Sequence, residues 1–115
     1  MSDHLQQGIF FFNSGRFFDA HEVWEDLWRE DQTELRSFYQ GLIQAAVGLH
    51  HWSRGNRQGA KSQLQKALDR LAKYPETTAG IDVLRLREDL RRGLERLDEP
   101  GVPVFRIVVE SQRTF

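Results

Sequence analysis

Apolar residues recur along this chain every three to four positions, the period of helices that bury one face. Residues 3–14 carry Leu5, Ile9 and Phe12 on one side and form the first predicted helix. Residues 16–30 form the second, with Phe17, Ala20, Val23, Trp24, Leu27 and Trp28 inward. The third is predicted to start after an N-cap at Asp31, with Glu34 completing a capping box, and to run to about residue 54. Leu35, Phe38, Leu42, Ala45, Ala46 and Leu49 form its stripe, widened by Tyr39 and Ile43, so it reads as the central helix. Asn56 caps a fourth helix that presents Ala60, Leu64, Ala67, Leu68 and Leu71 and stops at Tyr74-Pro75. After a loop over 76–80, Asp82 caps a fifth, with Val83, Leu86, Leu90, Leu94 and Leu97 inward.

Gly15 and Gly55 each close a periodic run, where a left-handed glycine ends a helix. They also anchor a weak internal echo at an offset of 40 residues. Gly15, Ala20, Trp24 and Trp28 align with Gly55, Ala60, Leu64 and Leu68, so each half reads as a helical hairpin. That is the helix-pair logic of tetratricopeptide repeats, although two units are too few for a solenoid. The expected fold is therefore all-α: a compact bundle of about five helices, two hairpins plus a fifth helix, filling residues 1–100. Residues 101–115 differ, because VPVFRIVV is β-branched and lies between the two prolines, Pro100 and Pro103, and a polar end. They are expected to form an extended arm packed on the bundle or on a neighbouring subunit.

Composition narrows the class. At 115 residues the chain has the size of one domain. It has no cysteine, which excludes disulfides, thiolate metal sites and cysteine nucleophiles. No apolar run approaches the roughly 20 residues a membrane span needs, and the polar start MSDHLQQG lacks a signal-peptide plan. A soluble, cytoplasmic protein is expected. With 16 basic against 17 acidic residues, nothing draws the chain generally to nucleic acid or anionic membrane, and little opposes self-association.

Chemistry concentrates in HEVWED, residues 21–26. On a helix His21 and Glu25 share a face, as do Glu22 and Asp26. A histidine and a carboxylate one turn apart can hold a metal ion, or the carboxylate can orient the imidazole as a general base. Glu25 stands where a zinc-protease helix has its second histidine, which counts against that enzyme class. On the third helix Gln40, Gln44, Val47 and His51 fall in line, and their expected partner is the His21/Glu25 edge of the second helix. His21, Glu22, Glu25, Gln40, Gln44 and His51 are thus one candidate cluster, either a buried hydrogen-bond network or a site. His21, Glu25 and His51 would be its metal ligands, and a divalent cation is the one cofactor this pattern would serve. His50 is expected on the other side of its helix, near Tyr39, Ile43 and Ala46, as a structural residue. Arg54, Arg57 and Lys61, at the turn into the fourth helix, are a weak anion-binding candidate. The arginines of the fifth helix alternate with Glu88, Asp89 and Glu95 and read as a solvated face.

Three linked segments resemble one family. FNSGRFFDAHEVWEDLWR (12–29), FYQGLIQAAVGLHHWSRGN (38–56) and GA (59–60) are similar to the domain of unknown function 309 family of small all-helical proteins. The resemblance covers about residues 12–71. It carries His21, Glu22, Glu25, Trp28, Gln40, Gly41, Gln44, His51, Asn56 and Gly59 into the family pattern. His50 stands where the family pattern has Tyr, and Ser53 where it has Arg. The resemblance implies a helical bundle and no particular activity. The expected role is a small helical interaction module, leaning against catalysis, with a homo-oligomer or another protein as partner. A metal-binding protein or metal-dependent hydrolase is the alternative, and a weak phosphate or nucleic-acid binder the third.

Overall fold

The computed structural model describes residues 2–101 and 105–110. Five helices follow in chain order: α1 (Asp3–Asn13), α2 (Phe17–Glu30), α3 (Leu35–Ser53), α4 (Arg57–Leu71) and α5 (Val83–Glu95). A two-residue-per-strand hairpin, β1 (Thr77–Thr78) and β2 (Ile81–Asp82), precedes α5. The architecture is essentially all-α.

Helix starts follow local side-chain chemistry. The Ser2 hydroxyl accepts from the Leu5 N–H, the Asn56 amide oxygen from Gly59 and the Asp82 carboxylate from Arg85. The start of α3 departs from expectation. Asp31 does not cap it; its carboxylate turns back to accept from the backbone N–H and hydroxyl of Thr33. The Thr33 hydroxyl then accepts from Leu35 at 3.1 Å. Asp and Thr compete locally for backbone donors, and here that competition delays the helix to Leu35.

Gly15 and Gly55 adopt φ +79° and +80°. In the first turn Arg16 N–H donates to the Phe11 carbonyl at 2.8 Å, and in the second Asn56 N–H donates to the His51 carbonyl at 2.8 Å. Both are the six-to-one closure of a Schellman end. The offset of 40 extends into the core. A Cβ on Gly8 would meet the Trp24 indole, and one on Gly48 would meet Leu64. Each hairpin therefore closes on one glycine facing one large side chain, at matching positions.

The helix α3 lies between α2 and α4 and is the most buried, from Phe38 through Leu49 and Trp52. This matches its broad apolar surface. Residues 76–80, expected as a plain loop, instead enter the small hairpin. Ala79 and Gly80 take φ +50° and +77°, the left-handed pair of a two-residue turn. The period-two signal of so short a strand pair is too brief to read from sequence.

Of the expected arm, residues 105–110 pack on the bundle, while 102–104 and 111–115 lie outside the described residues. Phe105 and Ile107 are buried, the former against Trp52 and Gly93. The Asn13 side chain bonds both backbone groups of Ile107, at 2.7 and 3.0 Å, as a strand neighbour would. Asp82 N–H donates to the Val108 carbonyl and Glu110 N–H to that of Gly80. The arm thus ties the end of α1 to the hairpin.

Candidate functional site

The side chains of α2 form a polar ladder along one face. His21 Nε2 contacts Glu25 Oε1, Glu25 Oε2 accepts from Arg29 at 3.0 Å, and Arg29 reaches Asp26 at 3.0 Å. Helical spacing of three and four residues builds it without help from the tertiary fold. Glu22 is exposed and stands apart from it. His21 is mostly covered, and its Nδ1 is buried without a hydrogen-bond partner.

Phe18 packs beside His21. The Phe18 ring lies 5.3 Å from the His21 ring and 5.3 Å from the His50 ring, so it is wedged between α2 and α3. Phe18 is nonetheless 50 % exposed. His50 holds its proton less tightly than a free histidine, first because it is desolvated and then because Arg54, His51 and His21 are near.

The expected meeting of His21 and Glu25 with His51 is not what the fold builds. On α3 it is His50, beside the Phe18 ring and near His21, that takes that place. His51 turns toward the start of α4, its Nδ1 3.3 Å from the Asn56 amide nitrogen and its ring against Gly59. The Schellman turn fixes this, because it folds Asn56 back over the His51 turn. Gln44 is buried with an unpartnered Oε1, and Gln40 lies a turn earlier, lining a different cleft. Among the described residues no three His, Asp or Glu side chains stand as a group that could hold a metal ion. The sequence could not decide between His50 and His51, since adjacent residues on a helix differ by only ~100°.

The basic turn is also organised differently. The first turn of α4 is occupied by its own cap, Asn56. Arg57 lies over the Trp52 ring at 5.8 Å with its Nη1 buried and unpartnered, while Arg54 and Lys61 are exposed. On α5, Arg85 faces Asp89, and Arg92 faces Glu88 and Asp89, the mixed-sign surface read from the sequence.

One feature had no sequence signal: a cleft of about 560 Å³ where the α2–α3 loop meets α4. Trp28, Arg36, Ser37, Gln40 and Arg70 line it, with Thr33 and Glu34 at the rim. Its residues come from three helices, and only Trp28 and Gln40 stood in the family pattern. No helix of the described residues is long and apolar enough to cross a membrane.

Residues 5–63, just over half of the chain, match the family model described as Domain of unknown function (DUF309). An uncharacterized protein of Aquifex aeolicus is 29% identical over 109 residues, which is 94% of this chain and 33% of its own length. The uncharacterized protein YpuF of Bacillus subtilis is 32% identical over 85 residues, 71% of this chain and 49% of its own length. The chain thus spans between a third and a half of the length of these relatives.

Proposed function

This chain belongs to the DUF309 family, and we propose that it serves as a non-catalytic helical module that associates with a second copy of itself through the Phe18 face. The observation that carries this reading is Phe18 itself, a large apolar ring left 50 % exposed between His21 and His50 while its neighbours Phe17 and Ala20 are buried. Exposed aromatics flanked by polar groups suit an interface better than open solvent. A two-fold axis near Phe18 would place identical rings against each other. A net charge of −1 opposes such pairing only weakly.

Light scattering coupled to size exclusion, from low to high micromolar protein, tests it. The reading expects a dimer that Phe18→Ser converts to a monomer with the same helical circular dichroism, its melting temperature no longer dependent on protein concentration. A monomer at every concentration overturns it. So does a dimer indifferent to Phe18→Ser.

The metal-binding reading has one observation in its favour, the buried, unpartnered Nδ1 of His21 beside a carboxylate-bound Nε2. Elemental analysis of untagged protein, with His21→Ala beside it, tests this reading. It requires bound metal that the variant loses.

A further inference from the structure

We infer that the cleft at the α2–α3 corner is a binding site for a phosphate group, held between Arg36 and Arg70. The proposal is independent of the Phe18 face. It rests on how the two guanidinium groups are presented.

Arg36 is pinned at two points. Its guanidinium lies 4.1 Å over the Trp28 ring, and its Nε donates to the Trp28 carbonyl at 3.1 Å. This leaves both terminal nitrogens of Arg36 without an acceptor among the described residues, fixed in plane and available. Arg70 reaches across from α4 and donates one terminal nitrogen to the Ser37 hydroxyl at 3.0 Å. Neither arginine forms an ion pair with a carboxylate among the described residues. Arg29 on the outer face of α2, by contrast, is answered by Glu25 and Asp26.

Two guanidinium groups therefore face one cavity of about 560 Å³. Ser37 and Gln40 add neutral hydrogen-bonding groups, and the start of α3 adds the positive end of a 19-residue helix. The one acidic side chain lining the cleft, Glu34, leaves a net positive site. Two arginines lining one cleft match an oxyanion with several oxygens, and two guanidinium charges match a dianion better than a single carboxylate. Because Arg36 is already immobilised on Trp28, little side-chain entropy is lost on binding.

The test is a titration of the intact chain, followed by amide NMR shifts, with inorganic phosphate, phenyl phosphate and acetate as probes. Sodium chloride at constant ionic strength keeps non-specific screening equal across them. The proposal expects saturable shifts centred on residues 33–40 and on Arg70 with both phosphates. Arg36→Gln and Arg70→Gln should each weaken binding about tenfold, or ~1.4 kcal/mol. Arg91→Gln, on the exposed face of α5, should leave binding unchanged. Arg36→Lys keeps the charge without the fork, and it should bind more weakly than the unaltered chain. Melting curves of each variant confirm that the fold is intact. Three results overturn the proposal: no saturable shift, shifts elsewhere on the surface, or binding that ignores both Arg36→Gln and Arg70→Gln. Acetate binding as tightly as phosphate overturns the choice of a dianion.

Discussion

The two helical hairpins, α1–α2 and α3–α4, share a ground plan and differ in what they were asked to bury. Both turn on a left-handed glycine, Gly15 or Gly55, and both close on a glycine opposite a large residue. In the first hairpin that residue is Trp24, whose indole N–H also donates to the Leu5 carbonyl at 3.3 Å. In the second it is Leu64, which has no polar group to satisfy. The echo therefore preserves backbone approach and not side-chain chemistry. Outward, the pairs diverge further. Position 10 is an exposed phenylalanine on α1, while the matching position 50 is a histidine whose ring lies tilted against that of Phe18. The second hairpin lies at the centre through α3, and the first brings the aromatic and charged face of α2 to its side.

Substituting the contact glycines should break the equivalence most visibly. A Cβ at Gly8 would lie 2.0 Å from the Trp24 indole nitrogen, whereas at Gly48 the closest atoms are Cδ2 and Cγ of Leu64 at 2.8 Å, with the Leu64 backbone nitrogen behind them at 3.2 Å. A rigid ring wedged against backbone cannot give way as an isobutyl group can. Gly8→Ala is expected to cost about 3 kcal/mol or more and Gly48→Ala about 1–2 kcal/mol, each net of the better helix propensity of alanine. Urea unfolding of the two variants checks this order, and a reversed order would refute the reading of the contacts.

Next in size are the turn glycines. Nothing lies within 4 Å of a Cβ at Gly15 or at Gly55, so only the left-handed backbone resists a side chain. Alanine at either position is expected to cost about 1 kcal/mol, and the two costs should agree. A large difference would show that the turns are equivalent in shape only.

The smallest effect belongs to His50 alone, because the first hairpin has Phe10 in its place. Burial and its positive neighbours hold the His50 pKa below the ordinary 6.5. The unfolded chain then binds the proton more readily than the folded one between those two values. Stability should rise with pH through that interval and fall as acid carries the solution from about 7 toward 5. His50→Phe should flatten this slope in chemical denaturation at several pH values. A slope unchanged in the variant would assign the effect to another group. If Phe18 pairs across a dimer, acid should also weaken it, as His50 becomes charged at the pairing face.

Much of this was legible in the chain. Helix positions, the caps at Asn56 and Asp82 and both glycine turns are local properties, set within about four residues, and apolar spacing marked α3 as central. The cap of α3 escaped because the Asp31 carboxylate is taken by the backbone N–H and hydroxyl of Thr33. The hairpin over residues 77–82 escaped because its strands hold two residues each. At the candidate site the ladder from His21 to Arg29 was half visible as spacing, while its neighbour across the helix boundary was misassigned by a single residue.

What the sequence determined by itself is what one helix can settle internally: period, ends, and which side chains line one face. Which face meets which helix was decided only in three dimensions, because a rotation of one residue along α3 exchanges His50 for His51 at little local cost. The same holds for the arginine cleft. Trp28, Arg36 and Arg70 belong to three different helices, and no spacing along the chain relates them until the bundle is packed.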